Sequence, residues 1–157
     1  MSVNNVIKFG IGNVTFGPAP INPGWIIDGN PIARNSFVAS TADGNSSTWM
    51  WDCTAGKFNW FYDIDEIVYF IEGSVIIKDK AGTGQPVHLN AGDTVFFPAG
   101  SSAEWIVPNY VRKVAVLRAP MSKHLLRLRG LYRSLKRLVG LGKSGSEGES
   151  PLTFQSR

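Results

Sequence analysis

Short β-compatible runs separated by turn residues fill the centre of the chain, and this spacing limits the fold more than any other feature. The runs are rich in β-branched and aromatic side chains and lie at residues 36–40, 57–62, 66–71, 74–78, 86–89, 94–97, 104–107 and 111–117. Short strands at intervals of about 8–12 residues, with Gly, Pro and Asn turns between them, are typical of a β-sandwich or β-barrel. Because no long helical patterns alternate with these runs, the sequence predicts an all-β domain.

Chain length and cysteine content narrow the class of protein. The 157 residues are enough for one domain with one core. Cys53 is the single cysteine, so no intramolecular disulfide can form, which favours a reducing compartment. The first ten residues do not resemble a secretory signal, and no uncharged apolar run reaches about 18 residues. We therefore expect a cytoplasmic protein.

The charge of the chain is divided between its body and its C-terminal end. Residues 1–120 carry eight Lys/Arg and ten Asp/Glu, a net charge of −2, whereas residues 121–157 carry eight Lys/Arg and two Glu, a net charge of +6. After Pro120, apolar residues recur at helical spacing, at Leu125, Leu128, Leu131, Tyr132, Leu135, Leu138 and Val139. This pattern predicts a basic amphipathic helix at 121–139 and a disordered tail at 140–157. Ahead of them we expect an N-terminal arm at 1–24 and the barrel at 25–118.

The predicted basic helix admits three interpretations. Its leucine stripe could pack on the barrel or on a second subunit. It could lie on an anionic membrane surface, since Lys and Arg flank an apolar face without acidic residues. Nucleic acid binding is the weakest of the three interpretations, because a single basic helix without a known nucleic-acid-binding motif is poor evidence for it.

Two segments of the centre resemble the cupin family. Residues 60–73 read WFYDIDEIVYFIEG, and residues 91–100 read AGDTVFFPAG. In cupins the first motif is His-x-His, three or four residues, Glu, six residues and Gly. The second motif is Gly-Asp, a strand and Pro-x-Gly-x-x-His. Both glycine turns, the glutamate and their order match over roughly residues 50–118. The resemblance implies a single double-stranded β-helix, or jelly-roll barrel.

The metal-binding histidines of that motif are missing from this sequence. Their three positions hold Trp60, Tyr62 and Ala103, so that Glu66 alone remains of the four usual ligands. One carboxylate cannot supply the three or four ligands that a transition metal needs. The sequence therefore predicts no metal and no other cofactor.

The amino-acid sequence around the motifs is similar to that of one branch of cupins. Residues 58–62, the pair at 65–66 and residues 105–113 resemble the ureidoglycine aminohydrolase cupin domain and the ethanolamine-utilisation cupin. Members that retain the histidines bind metal and hydrolyse an amine-bearing ureido compound. Because the ligands are absent here, the resemblance does not imply that activity for this chain.

Glu66 and Tyr62 are the candidate catalytic residues. Burial of Glu66 among aromatic rings would favour its protonated form and suit it to acid/base chemistry. Alternatively, Glu66 is a buried remnant held by a hydrogen bond from Tyr62 or from a backbone amide. Trp60 and Tyr62 alternate on a strand and so share one face, which we expect to be the barrel interior. This aromatic face, together with the Glu66 carboxylate, could bind a small organic cation, or the rings could simply fill the barrel. Trp60, Trp105 and Phe70 are the candidate aromatic binding residues.

The evidence for four further residues is weaker. Tyr110, Arg112 and Lys113 could place a cation at the rim for an anionic ligand, with Lys113 as the binding residue, or they could form a solvated strand end. Cys53 has no histidine near it in sequence, which argues against a nucleophilic thiol.

Two functional hypotheses follow. The first is a metal-independent cupin that binds a small polar metabolite of amine, ureido or carboxylate type. If it is an enzyme, the chemistry would be proton transfer, such as isomerisation, elimination or hydrolysis with Glu66. The second is a non-catalytic accessory protein with a filled barrel that acts through oligomer or tail contacts. The resemblance to cupins also implies a homodimer, and the sequence leaves open whether the chain is an enzyme.

Overall fold

The described part of the chain, residues 8–81 and 85–120 of a computed structural model, is mostly antiparallel β-sheet. Two single-turn 3-10 helices lie at Ile11–Asn13 and Pro23–Trp25. The strands in chain order are β1 (Gly17–Pro18), β2 (Ile26–Gly29), β3 (Ala33–Ser40), β4 (Ser46–Phe61), β5 (Asp65–Asp79), β6 (Val87–Asn90), β7 (Thr94–Phe97) and β8 (Ser102–Arg118). The predicted all-β class is confirmed. The predicted helix at 121–139 and tail at 140–157 lie outside the described residues.

Three long strands hold the sheet together. β8 is central and runs antiparallel to β4 on one side and to β5 on the other. The C-terminal half of β8 pairs with the first halves of β4 and β5, and its N-terminal half pairs with their second halves. β3 and β7 extend the first set of pairings, and β2 and β6 extend the second. The strands thus form two layers that share their long strands, as in a cupin barrel.

The long strands change register near their middles, and a glycine makes this possible. In β5 the pairing with β8 shifts between Gly73 and Ile76. Gly73 has a φ of 73°, and a Cβ at this position would collide with the carbonyl oxygen of Tyr110 on β8. The expectation of separate strands at 66–71 and 74–78 is therefore wrong, because the glycine bends one continuous strand instead of ending it.

The same correction applies to β8, for which the sequence predicts two strands, at 104–107 and 111–117. The structure joins them into Ser102–Arg118, with Pro108 exposed between the two halves. A proline is tolerated there because the neighbouring β4 pairing skips this point, shifting register between Thr54 and Gly56.

The core lies between the two layers. Phe58, Trp105 and Phe70 are at most 1% exposed and come from β4, β8 and β5. Trp105 stacks on Phe58 at a ring separation of 6.0 Å and tilts against Phe70 at 6.1 Å. Burying each of these side chains contributes about 2–3 kcal/mol. The aromatic residues therefore hold together the strands that position the site.

Part of the segment predicted as an N-terminal arm contacts the sheet. Residues 17–18 form β1 and pair with β3. The ring of Phe16 lies 5.2 Å from the guanidinium carbon of Arg34 and 5.4 Å from that of Arg112. The chain before β2 thus adds to the first layer, while the boundary predicted at residue 24 stays a prediction.

Candidate functional site

A cavity of about 320 Å³ opens on the inner side of the first layer. Alternating residues of β4, β5 and β8 line it, because successive side chains of a strand point to opposite faces. The residues of the N-terminal segment and β3 close one side. The lining consists of Ala19, Pro20, Asn35, Trp49, Trp51, Trp60, Glu66, Lys113, Ala115 and Leu117. The barrel is therefore not completely filled, which answers a question that the sequence leaves open.

A buried ion pair lies in this cavity. The Lys113 Nζ donates a hydrogen bond to Glu66 Oε1 over 2.5 Å, and the two side chains are 5% and 9% exposed. Glu66 pairs in register with Leu117, two inward positions along β8 from Lys113. Ala115 lies between them on the same face, and its small side chain leaves room for the lysine to extend along the strand. The sequence analysis singled out both residues but did not predict that they pair.

Two tryptophan rings surround the ammonium group of Lys113. Its Nζ lies 5.1 Å from the ring centroid of Trp51 and 4.9 Å from that of Trp105. Both separations are within the range of a cation–π interaction, which is strongest for tryptophan and in desolvated places. The ammonium is thus held by one carboxylate and two rings. The interpretation of Lys113 as part of a solvated strand end is wrong, because the residue is only 4% exposed.

Glu66 is buried, as the sequence suggested, but its contact differs from the one expected. Neither Tyr62 nor a backbone amide donates to its carboxylate, which bonds to Lys113 among the described residues. The physical reason is reach: a lysine on the neighbouring strand spans the distance along the inner face, and an ammonium compensates the buried negative charge, whereas a phenol cannot.

Trp60 lines the cavity, whereas Tyr62 lies in the core. The ring of Trp60 meets that of Trp51 edge-on at 6.0 Å. Both Trp60 and Tyr62 point inward, and Phe61 between them is 44% exposed, as the alternation predicts. Tyr62 is 3% exposed and stacks on Phe97 at 4.3 Å.

The hydroxyl of Tyr62 has a structural partner. Its oxygen accepts a hydrogen bond from Nε1 of Trp105 over 2.9 Å. Burial, and secondarily the charge of Glu66, raise the pKa of Tyr62 well above its usual value. A phenol with so high a pKa is a poor proton donor. Of the six predicted site residues, Glu66, Trp60 and Lys113 line the cavity; Tyr62, Trp105 and Phe70 do not.

Sequence reasoning missed Asn35, Trp49 and Trp51 as lining residues. Asn35 reaches the cavity from β3, which pairs with β4 through Trp51. The two tryptophans are separated by one residue, and this alternation in a β-compatible run was a signal that both face inward. No comparable signal marked Asn35, because only the strand pairing brings it to the cavity.

Tyr110 and Arg112 belong to a second ionic cluster, on the other face of the same layer. Asp52, 1% exposed, accepts hydrogen bonds from Nε and Nη2 of Arg34 over 3.0 and 2.7 Å, and from the Tyr110 hydroxyl over 2.9 Å. Arg112 approaches the same carboxylate at 3.6 Å and Glu72 at 3.1 Å. Burial, followed by the hydrogen bond to Asp52, raises the pKa of Tyr110. The hypothesis that Tyr110 and Arg112 serve the cavity is wrong, because alternation points Arg112 away from it while Lys113 points in.

Cys53 is enclosed in the core. It has no exposed surface, and burial, with a smaller contribution from Asp52, raises the pKa of its thiol to about 12. A thiol held in its neutral form is a weak nucleophile. The structure thus agrees with the argument from sequence against a nucleophilic cysteine.

The family described as EutQ-like cupin domains matches residues 40–115, which include all of β4 and β5 and all of β8 except its last three residues. Residues 40–115 form an EutQ-like cupin domain. This confirms the resemblance to ethanolamine-utilisation-type cupins. The resemblance to ureidoglycine aminohydrolase stays a prediction.

Individual relatives agree with this assignment. The chain is similar to the acetate kinase EutQ of Clostridioides difficile, with 38% identity over 60 residues. That match covers 38% of this chain and 36% of the relative, so it spans about a third of that protein's length. A solved structure of a Pseudomonas syringae protein of unknown function is 26% identical, with a TM-score of 0.60 over 67% of this chain and 45% of that one.

A predicted oxalate decarboxylase of Thermotoga maritima shares the fold. Its solved structure gives a TM-score of 0.57 at 15% identity and covers 73% of this chain and 100% of that one. At this identity the similarity shows the cupin barrel alone. Together these matches support a cupin-type small-molecule-binding protein.

The residues of the cupin domain do not fit the metal that cupins commonly hold. Trp60 and Ala103 occupy two of the three histidine positions and pair directly across β4 and β8. Neither side chain has a donor atom that binds a transition metal. The third position holds Tyr62, bonded to Trp105, and Glu66 faces the ammonium of Lys113. Residues 8–81 and 85–120 contain no group of three or more His, Cys, Asp or Glu placed to hold a metal ion.

Within residues 8–81 and 85–120, no helix has the length and apolar character needed to cross a bilayer. The cytoplasmic location, the homodimer and the partners of the C-terminal segment stay predictions.

Proposed function

We propose that the cupin domain binds a small polar organic molecule in its cavity without a metal ion, through the Glu66–Lys113 pair. The observation that carries the proposal is the position of this pair, which lies in an open cavity lined otherwise by apolar residues, three of them tryptophans, and by Asn35. Ligand pockets commonly combine an apolar lining with a few placed polar groups. The three lining tryptophans supply the first part, and the ion pair with Asn35 supplies the second.

The energetic cost of the pair supports a role in binding. Burial of two charges is expensive, and apolar residues of the same volume are often as stable or more stable than a buried ion pair. Glu66 and Lys113 are each almost fully buried, yet Glu66 has only one hydrogen-bond donor among the described residues. A pair that only stabilised the fold would be expected to have more partners. An occupant of the cavity would supply them.

A ligand screen tests the proposal. The full chain is screened against small amides, amines, carboxylates, sugars, ureido compounds and divalent metals, with the melting temperature and tryptophan fluorescence as readouts. We expect an organic compound to raise the melting temperature and change the fluorescence of the cavity tryptophans. The Lys78→Met variant is a control that should respond to ligands like the wild type, because Lys78 is 45% exposed and pairs with Glu104 outside the cavity. Stabilisation by metals alone would contradict the proposal.

Proton transfer is the second candidate function. The observation that favours it is a carboxylate and an ammonium 2.5 Å apart at one cavity, which provides a base and an acid for the same ligand. For any ligand found, exchange of C–H protons for deuterium in D2O is followed by NMR. Exchange that is lost in Glu66→Gln but kept in Lys78→Met would support catalysis. Binding without exchange would indicate that the domain binds this ligand but does not catalyse proton transfer on it.

The name of the Clostridioides difficile relative suggests one further test. Acetate kinase activity is stated for that protein, of which the match covers 36%. Acetate and ATP are therefore included in the screen and assayed together for ADP formation. We expect no turnover from the cupin domain, because its cavity of about 320 Å³ is lined by one cationic side chain among the described residues and is poorly suited to a triphosphate.

The alternative of an accessory protein acting through contacts stays open to experiment. A homodimer would be seen by light scattering of the full chain. Binding of the basic C-terminal segment to anionic vesicles would be seen by co-sedimentation and lost when Leu128 and Leu131 are changed to Ser. Either result, together with a ligand screen that finds no binding compound, would favour this alternative over ligand binding in the cavity.

A further inference from the structure

We propose that the cavity selects a neutral ligand that carries a hydrogen-bond acceptor and a hydrogen-bond donor side by side, the chemistry of a primary carboxamide, over a carboxylate or an ammonium compound of the same size. This inference rests on the proposed function, because it specifies the ligand class for the same cavity. It follows from the charge balance, the unused hydrogen-bonding atoms and the aromatic walls.

The charge balance of the cavity disfavours a charged ligand. Glu66 and Lys113 are the only charged side chains that line it among the described residues, and together they are neutral. A carboxylate ligand would have to draw Lys113 away from Glu66 and would leave two negative groups near one ammonium. An ammonium ligand would compete with Lys113 in the same way. A neutral ligand leaves the pair intact and pays no cost for an uncompensated buried charge.

The pair has hydrogen-bonding capacity left for such a ligand. Oε1 of Glu66 accepts the hydrogen bond from Lys113, whereas Oε2 has no donor among the described residues. An ammonium has three N–H groups, and Lys113 uses one of them on Glu66. A carboxamide could accept from Lys113 through its oxygen and donate to Oε2 of Glu66 through its nitrogen. The amide of Asn35, also in the lining, could form a third polar contact.

The remaining walls favour a planar or apolar body. Trp49, Trp51 and Trp60 line the cavity, and the last two meet edge-on at 6.0 Å. Aromatic rings pair with one another at such distances in offset or edge-on arrangements. The volume of about 320 Å³ is at the small end of the range for ligand pockets. An aromatic carboxamide of one ring therefore matches both the polar end and the walls.

Three probes of one shape test the inference. Benzamide, benzoate and benzylammonium share a ring and differ in the charge of the attached group. Their affinities for the full chain are measured at neutral pH by calorimetry and by tryptophan fluorescence. We expect benzamide to bind at least about tenfold more tightly than either charged probe.

Two double variants assign the preference to the pair. In E66Q/K113M both charges are removed together, so that no unpaired charge is buried, and we expect the tenfold preference to fall to about twofold or less. The matched control is E104Q/K78M, which removes an ion pair of 3.3 Å outside the cavity whose side chains are 20% and 45% exposed. Lys57, which also approaches Glu104 at 3.4 Å, is 33% exposed to solvent. It should leave the preference unchanged.

The outcomes separate the inference from the proposed function. Tightest binding by benzoate or by benzylammonium would overturn the inference and leave the cavity as a binding site. A preference for benzamide that persists in E66Q/K113M would also overturn it. If none of the three probes binds while the broader screen finds another organic ligand, the inference fails alone. If the broader screen also finds no organic ligand, both the inference and the proposed function fail.

Discussion

The two faces of one sheet layer carry two buried carboxylates with very different surroundings. Arg112 and Lys113 are consecutive on β8 and therefore point to opposite faces. On the outer face, Arg112 joins Arg34 and Tyr110 around Asp52, whose two oxygens accept three hydrogen bonds. On the inner face, Lys113 alone bonds to Glu66 among the described residues.

The difference distinguishes a structural cluster from a binding site. The Asp52 carboxylate is nearly saturated, and the cation–π contacts of Arg34 and Arg112 with Phe16 close over it. It fastens the N-terminal segment to the sheet and leaves little capacity for a ligand. The Glu66 carboxylate is also buried, but one of its oxygens has no donor among the described residues and lies beside an open cavity. Burial of a charge is thus common to both, and hydrogen-bond saturation separates them.

Lys113→Met should give the largest loss of stability. Removal of the ammonium leaves Glu66 buried without a compensating charge, and breaking a buried pair in this way costs about 3–5 kcal/mol. The free energy of unfolding is measured by urea denaturation. The double variant E66Q/K113M, which removes both charges, should recover most of the loss. A Lys113→Met loss of less than about 1 kcal/mol would show that water or another group already solvates Glu66.

Asp52→Asn should have a smaller effect on stability and none on the cavity. The hydrogen bonds to a charged acceptor weaken, but Arg34 is 48% exposed and regains water, so we expect a loss of about 2 kcal/mol. Ligand affinity should stay within about twofold of the wild type, as judged by tryptophan fluorescence. A larger drop in affinity would mean that the outer cluster is coupled to the cavity and that the two faces are not independent.

High pH should produce a smaller and more gradual loss that reports on the inner face. Burial raises the pKa of Cys53 to about 12, whereas an unfolded cysteine titrates near about 8.5. The unfolded state therefore loses its proton first, so the stability from this group is complete below about pH 8.5 and declines as pH rises toward 12. Tyr62, whose pKa is also raised, acts with the same sign from about pH 10 upward.

The pH dependence is measured as the melting temperature between neutral and strongly alkaline solution. In Cys53→Ala the decline that begins near pH 8.5 should be shallower than in the wild type. Equal slopes in the two proteins would show that the thiol is not protected from ionisation in the folded state.

Much of the fold could be predicted from local sequence. The run at 94–97 coincides with β7, because the Asn90–Asp93 turn and Pro98 fix both of its ends. The bends in β5 and β8 could not be predicted, since Gly73 is equally compatible with a turn that ends a strand and with a kink that continues it. The close approach of Tyr110 decides between these outcomes, and that contact is tertiary.

The candidate site was predictable only where a residue type and its strand position were both informative. Trp60 and Glu66 were found because they occupy family motif positions on inward faces, and Lys113 was found as a candidate cation on its strand. Tyr62 follows the same alternation but packs against Phe97 in the core. Strand alternation gives the face on which a side chain lies, but not how far into the barrel it lies. Asn35 was missed for the converse reason: a neutral side chain in an unremarkable strand reaches the cavity only through the pairing of β3 with β4.

The sequence alone determined that the chain forms an all-β cupin domain and that the usual histidines are replaced by residues unsuited to a metal. It did so because strand alternation, turn chemistry and motif spacing are properties of neighbouring residues. Only the tertiary structure decided that Lys113 compensates Glu66 and that Arg112 lies near Asp52, which Arg34 compensates. The physical reason is that an ion pair depends on the distance between atoms from different strands, and two adjacent basic residues look alike until the sheet separates them onto opposite faces.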